Sequence, residues 1–228
     1  MRICEIFQSL QGEGRLTGTP SVFVRAGGCN LRCWYCDTPY ASWQPEGEDL
    51  SVEEIAARVE RLPAGHVVLT GGEPMLFAEL VPLTAALARL RRHVTVETAG
   101  TLYLPVTCDL MSISPKLANS TPPAERDPRW SRRHEQSRHA PEVIRRLIAE
   151  YDCQLKFVVD RPEDCDEVGR YLAAFPEIDR VRAMLMPQGT DAAALEQKAA
   201  WLRPYCETHA LAFCPRRQIE WFGGARGT

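Results

Sequence analysis

Short apolar, β-branched runs alternate along the chain with longer stretches whose apolar positions recur at helical spacing. Ser21–Arg25, His66–Thr70, His93–Glu97, Asp109–Ser114, Gln154–Val159 and Val181–Met186 show the first pattern, with a last short run near Leu211–Cys214. Segments 51–62, 77–91, 140–151, 162–175 and 191–209 show the second, and Ser51 followed by Glu54 is a capping-box start. Such alternation predicts parallel strands joined by right-handed crossovers. Six strands are too few to close an eight-stranded barrel. The expected architecture is therefore α/β, a partial, open β/α barrel of about six parallel strands, in one domain over residues 1–228. One stretch breaks the rhythm. Residues 122–139 are polar, proline-containing and arginine-rich, and are expected to form an irregular excursion, either a solvated loop or a lid.

Composition narrows the function classes. Lysine plus arginine is 27 against 30 acidic residues, a net charge of −3, which argues against wrapping nucleic acid as a main task. No stretch approaches the ~18 uncharged apolar residues of a spanning helix. The first residues carry no apolar leader, so a cytoplasmic protein without a membrane partner is expected. Nine cysteines cannot pair completely, and a disulfide scaffold would normally be shorter. Cys4, Cys108, Cys153, Cys165, Cys206 and Cys214 are scattered and read as small buried hydrophobes. Cys29, Cys33 and Cys36 instead fall within eight residues.

That C-x3-C-x2-C run follows the first clear strand. Structural zinc wants four ligands, commonly from two knuckles, and no second knuckle exists. Ordinary electron-transfer clusters use four cysteines. Three thiolates would leave one iron of a four-iron cluster open for a ligand, although three close cysteines also suit a stray metal. Thr70-Gly71-Gly72-Glu73-Pro74 follows the second strand. Its glycines allow close backbone approach to a ligand, and Glu73 offers an anionic partner to an amino group. Alone it is as readily a turn. With the cysteine run at the end of the preceding strand, both loops fall on the rim where barrel enzymes build their sites.

The two motifs together resemble those of the radical S-adenosylmethionine enzymes. Leu10-Gln11-Gly12-Glu13-Gly14, Cys36-Asp37-Thr38, Ser114-Pro115-Lys116, Met186-Pro187-Gln188-Gly189 and Phe222-Gly223-Gly224-Ala225-Arg226-Gly227 make the whole chain similar to one family among them, the 7-carboxy-7-deazaguanine synthases. The resemblance implies a radical ring contraction of 6-carboxy-5,6,7,8-tetrahydropterin to 7-carboxy-7-deazaguanine with release of ammonia, towards queuosine and related deazapurines. It implies one 4Fe–4S cluster on Cys29, Cys33 and Cys36, magnesium on Thr38, and S-adenosylmethionine. The latter would lie against Tyr35, Cys36, Asp37, Gly72, Ser114, Pro115, Lys116, Met186, Pro187, Gln188 and Gly189. Substrate would contact Leu10, Gln11, Gly12, Arg25 and Thr70, with Glu13, Glu73 and Glu97 as secondary candidates. The arginine fork suits a substrate carboxylate. Without the family, Arg25 reads as an ion-pair residue, Thr38 as a turn hydroxyl and Glu97 as a solvated strand end.

Partners implied are the pterin, an electron donor such as flavodoxin or ferredoxin, and a second copy in a homodimer. Two positions depart from the family pattern. Met186 stands where a glutamine is frequent, and Gln218 where a histidine is common. Whether Thr228 brings a terminal carboxylate to substrate is left open. The alternatives are a radical activase acting on a protein glycine and a zinc-binding interaction module.

Overall fold

The computed structural model describes residues Met1–Thr228. Its strands are β1 (Arg2–Leu10), β2 (Pro20–Ala26), β3 (Glu48–Asp49), β4 (His66–Gly71), β5 (His93–Thr98), β6 (Leu110–Ile113), β7 (Cys153–Val159), β8 (Ala183–Pro187) and β9 (Ala212–Phe213). Its helices are α1 (Pro39–Ser42), α2 (Val52–Glu60), α3 (Leu80–Arg89), α4 (Pro128–Ser137), α5 (Pro141–Glu150), α6 (Asp164–Ala174), α7 (Ala192–Thr208) and α8 (Arg217–Phe222). The strands form one sheet in the order β3-β1-β2-β4-β5-β6-β7-β8-β9. From β2 to β9 every neighbouring pair is parallel, while β1 runs antiparallel to both β2 and β3. The six expected strands are thus the centre of an open barrel, extended at both edges.

Strand periodicity decides what each face does. Val22, Val24, Leu69, Val96, Met111, Ile113, Leu155 and Phe157 turn into the main apolar core, where Ile55, Val59, Leu83, Leu87, Ile144, Leu147, Val168 and Leu202 from the covering helices meet them. The alternate positions Phe23, Arg25, Thr70, Glu97, Ser112, Lys156 and Val158 line the concave inner face. The helices take the apolar side, so the inner side is free to be polar.

Three expectations are corrected here. β1 was not anticipated, and the reason is a register shift between Ile3 and Glu5 that breaks its alternation. Residues 122–139 are not irregular throughout, because α4 occupies most of them. Asp127 accepts the Trp130 amide at 2.9 Å, Pro128 fills the first turn, and His134 is wholly buried. The N-terminal part of the expected helix 77–91 is also shorter than read, since Pro74–Leu76 form a 3-10 turn and α3 begins at Leu80.

The barrel does not close through its strands. The loop after β1 crosses the seam instead: Gly14 N–H donates to Cys214 Sγ at 3.1 Å, and Arg217 N–H to the Gly12 carbonyl at 3.0 Å. Gly12 is needed for this approach, as a Cβ there would stand 2.7 Å from the Gln218 amide nitrogen.

Candidate active site

The loop that carries the three cysteines is tied to the glycine loop by backbone alone. Gly28 N–H donates to the Ala41 carbonyl at 2.8 Å, and the Gly28 carbonyl accepts the Glu73 amide at 2.7 Å. A Cβ on Gly72 would lie 2.0 Å from the Gly28 oxygen. That contact explains the residue type at Gly72 in the Gly-Gly pair.

Cys29, Cys33 and Cys36 are free, half-buried thiols that line one cavity of about 590 Å³ on the inner side of the sheet. Burial pushes Cys29 up to about 12 and Cys33 up to about 11. Nowhere in the chain are three His, Cys, Asp or Glu side chains gathered tightly enough to hold a single metal ion. That spacing disfavours one shared zinc, whereas thiolates bound to three different irons need not converge. The remaining cysteines are free thiols as expected, with Cys4 and Cys108 half-buried and the other four buried.

The cysteine loop is braced from behind by residues that sequence reasoning missed. Arg32 N–H donates to His134 Nδ1 at 3.1 Å, so the ring proton sits on Nε2, which meets Ser120 Oγ at 2.9 Å. Ser120 in turn donates to the Leu117 carbonyl at 2.6 Å. Burial pulls His134 down to about 4, and the imidazole is neutral. Trp43 Nε1 donates to the Cys33 carbonyl at 3.1 Å, and the Arg32 guanidinium to the Cys29 carbonyl at 2.7 Å. The available signal was Asp127-Pro128, a helix start ahead of α4.

Opposite the cysteines lies a charged network. Lys156, on β7, donates to Glu13 Oε2 at 3.0 Å and to Glu97 Oε1 at 3.4 Å. Glu97, on β5, also accepts Thr70 Oγ1 at 2.8 Å and Gln11 Nε2 at 3.3 Å. Glu13 accepts Gln218 Nε2 at 2.6 Å and faces Arg216 Nε at 3.4 Å. Burial alone would raise the Glu13 carboxyl, but Lys156 and Arg216 outweigh it and hold it at about 2. Burial opposes the charge on Lys156 too, yet Glu97 and Glu13 raise it above its ordinary value. Both therefore stay ionised at neutral pH. Arg216 also pairs with Asp37 and with the Gly189 carbonyl, joining this network to the cysteine loop.

Of the expected site residues, Leu10, Gln11, Gly12, Glu13, Arg25, Cys29, Cys33, Tyr35, Cys36, Asp37, Thr38, Thr70, Gly72, Glu97, Ser114, Lys116, Met186 and Gln188 all line the cavity. The Arg25 side chain binds Glu5 Oε1 through Nε at 2.6 Å and makes no other hydrogen bond, so its two terminal nitrogens remain available. Thr38 opens α1 without capping it, and its hydroxyl touches only Cys36 Sγ, at 3.8 Å. Lys116 folds onto Ser114 at 2.7 Å, and Gln188 is held by Lys198 at 3.0 Å.

Pro115, Pro187, Gly189 and Glu73 do not line the cavity. Glu73 is wholly buried and accepts Thr98 Oγ1 at 2.8 Å, the Ala99 amide at 2.8 Å and the Met75 amide at 3.1 Å. Its carboxylate is consumed in fixing the end of β5, which corrects its reading as a partner for an amino group. Gln218 takes a place on Glu13, and Met186 is one of the cavity's apolar walls. Lys156, Arg216 and the tail Gly223–Thr228 also line the cavity. Arg226 of that tail reaches Glu5 at 3.2 Å and Glu46 at 2.9 Å.

Residues 23–121 match the radical SAM superfamily. The chain is 45% identical over 227 residues to a 7-carboxy-7-deazaguanine synthase of Rhodopirellula baltica, covering 99% of this chain and 88% of that protein. It is 44% identical over 236 residues to one from Halobacterium salinarum, covering 99% and 92%. Among solved structures it is similar to QueE from Escherichia coli, with a TM-score of 0.71 and 25% identity over 95% of this chain and 93% of that one. SuiB of Streptococcus suis shares the fold, with a TM-score of 0.58 and 16% identity over 84% of this chain and 47% of that one.

Proposed function

The chain belongs to the 7-carboxy-7-deazaguanine synthase family of radical S-adenosylmethionine enzymes, and from that membership we propose how its cavity serves the reaction. The reaction is the ring contraction of 6-carboxy-5,6,7,8-tetrahydropterin to 7-carboxy-7-deazaguanine with loss of ammonia. One observation carries the assignment of residues: three thiols and a glycine loop at the carboxyl ends of parallel strands share a single cavity with the Gln11–Glu13 segment, which enters it from beside the amino end of β2. Full-length likeness to that family displaces the activase and zinc-module alternatives.

Cys29, Cys33 and Cys36 would hold the four-iron cluster, since three thiols spread around one wall suit three irons. When bound, the cluster and S-adenosylmethionine supply the carbon radical that takes hydrogen from the substrate. Tyr35, Asp37, Gly72, Ser114, Lys116, Met186 and Gln188 form the surface for S-adenosylmethionine. Thr38, whose hydroxyl caps nothing, is the oxygen donor offered to magnesium, a hard cation that keeps positions for water and substrate.

The chain's own contribution is placement and fixed charge. The free fork of Arg25 takes the pterin carboxylate. Gln11, Gly12 and Thr70 address the ring edge. Glu13 is ionised and Lys156 protonated throughout the neutral range, so they present standing charges rather than exchanging protons with the ring. A one-electron donor such as flavodoxin or ferredoxin, a homodimeric state and a cytoplasmic location complete the reading. No helix is long and apolar enough to cross a membrane.

Anaerobic reconstitution with iron and sulfide tests this. A brown protein that makes deazaguanine from the pterin is expected, with colour and turnover both lost in Cys33→Ala. A colourless wild-type protein defeats the cluster assignment, and cofactor cleavage without product defeats the substrate assignment.

A further inference from the structure

Behind the cysteine loop, away from the cavity, lies a face that the reaction chemistry does not use. Arg126, Arg129, Arg132 and Arg133 are exposed on or just before α4, and Arg32 stands between two of the cysteines. None of these five makes an ion pair, whereas Arg138, Arg145, Arg146 and Arg217 each have a carboxylate within 3.1 Å. Trp34, Trp43 and Trp130, three of the chain's five tryptophans, lie among them. The Arg32 guanidinium sits 4.1 Å over the Trp130 ring, Arg133 is 4.7 Å from the same ring, and Arg126 is 5.2 Å from Trp43. Stacking of this kind orients guanidinium groups without cancelling their charge. In a chain of net charge −3, this face thus carries a positive patch whose guanidiniums have no carboxylate partner, three of them ordered by tryptophan rings.

The patch is also coupled to the cluster ligands. Trp34 directly follows Cys33, is 44% exposed, and is fixed by its Nε1 to the Asn119 carbonyl at 2.7 Å. Trp43 binds the Cys33 carbonyl at 3.1 Å, and Arg32 binds the Cys29 carbonyl at 2.7 Å. None of the three tryptophans lines the cavity. An electron arriving at this face would enter within one residue of a cluster ligand without crossing the substrate chamber.

We infer that the Arg126–Arg133 face with Trp34 is the docking surface for a small acidic one-electron carrier protein. This rests on the reading of Cys29, Cys33 and Cys36 as cluster ligands. One electron leaves the reduced carrier and one reduces the cluster; no bond or proton changes at the surface. The carrier's carboxylates answer the unpaired guanidiniums, which sets encounter rate and orientation.

The test is turnover of the reconstituted enzyme driven either by a reduced acidic flavodoxin or by dithionite. Arg129→Glu with Arg132→Glu should raise the KM for flavodoxin at least tenfold at low salt and flatten its rise with ionic strength, while dithionite-driven turnover stays at the wild-type rate. The charge-keeping pair Arg129→Lys with Arg132→Lys should behave as wild type. An unchanged flavodoxin KM and salt response in the glutamate pair overturns the docking surface. Failure of the wild-type enzyme with dithionite overturns the cluster reading instead.

Discussion

β2, β4 and β5 carry polar side chains at both ends, and the two ends behave in opposite ways. At their amino ends, Ser21 Oγ meets His66 Nδ1 at 2.7 Å and His66 Nε2 meets Thr95 Oγ1 at 2.8 Å, all three residues being buried. Ser21 spends its own hydroxyl proton on the Thr19 carbonyl at 2.8 Å, so the imidazole donates from Nδ1 and is neutral. Burial and the neighbouring His93 pull His66 down to about 4. At their carboxyl ends the same strands present Arg25, Thr70 and Glu97, which line the cavity and engage Glu5, Lys156 and Gln11. One end closes its hydrogen bonds on itself, and the other keeps charges in place for a ligand. A polar residue in a strand therefore says little about chemistry until its partners are known.

Substitutions at the charged end should cost both stability and turnover. Lys156→Met leaves Glu13 and Glu97 facing each other without their shared cation, and breaking such a pair costs about 3–5 kcal/mol. Turnover should drop at least a hundredfold, read by anaerobic assay beside thermal unfolding. Full activity in this variant would erase the distinction between the two ends. At the closed end, His66→Leu should cost about 1–3 kcal/mol by orphaning Ser21 and Thr95. Its reconstituted turnover should match wild type, and a large loss there would mean that the amino end reaches the chemistry.

Acid should separate the ends by order of failure. His66 and His134 have folded values lowered to about 4 from 6.5, so their stabilising contribution is complete above 6.5 and is lost as pH falls towards 4. Glu13 is lowered to about 2 from 4.5, so its contribution is complete above 4.5 and is lost only as pH falls towards 2. Hydrogen-exchange protection of the backbone amides around His66 should therefore fall before that of the amides around Glu13. The reverse order would show that the charged end is the weaker one.

The apolar-run pattern revealed the six central strands because each is buried on its core face by β-branched and other apolar residues, as parallel strands require. β1 escaped because its bulge shifts the alternation partway along. α4 escaped because its composition is almost entirely polar, although Asp127 and Pro128 mark its start. The cysteines were legible because they fall within eight residues, and Gly71-Gly72 because a glycine pair at a strand end itself marks a close backbone approach. Lys156 and Arg216 were not. Their meaning comes from Glu13 and Glu97, with Glu13 and Arg216 more than two hundred positions apart, and only the barrel's curvature brings them together. Glu73 was misread for the complementary reason. Its partners Thr98 and Ala99 lie at and just past the end of the next strand, so its burial could not be seen locally.

The seam between β1 and β9 is held by a clasp rather than a weld. A strand ladder at that position would have to break several hydrogen bonds at once before the barrel could widen. Here the joint consists of a thiol contact from Gly14, one amide from Arg217 and the grip of Arg216 and Gln218 on Glu13. Such a joint can release piece by piece while the sheet keeps its register. The two sides of the cavity therefore rest on separate supports, the seam on these few contacts and the cysteine wall on His134 and Ser120.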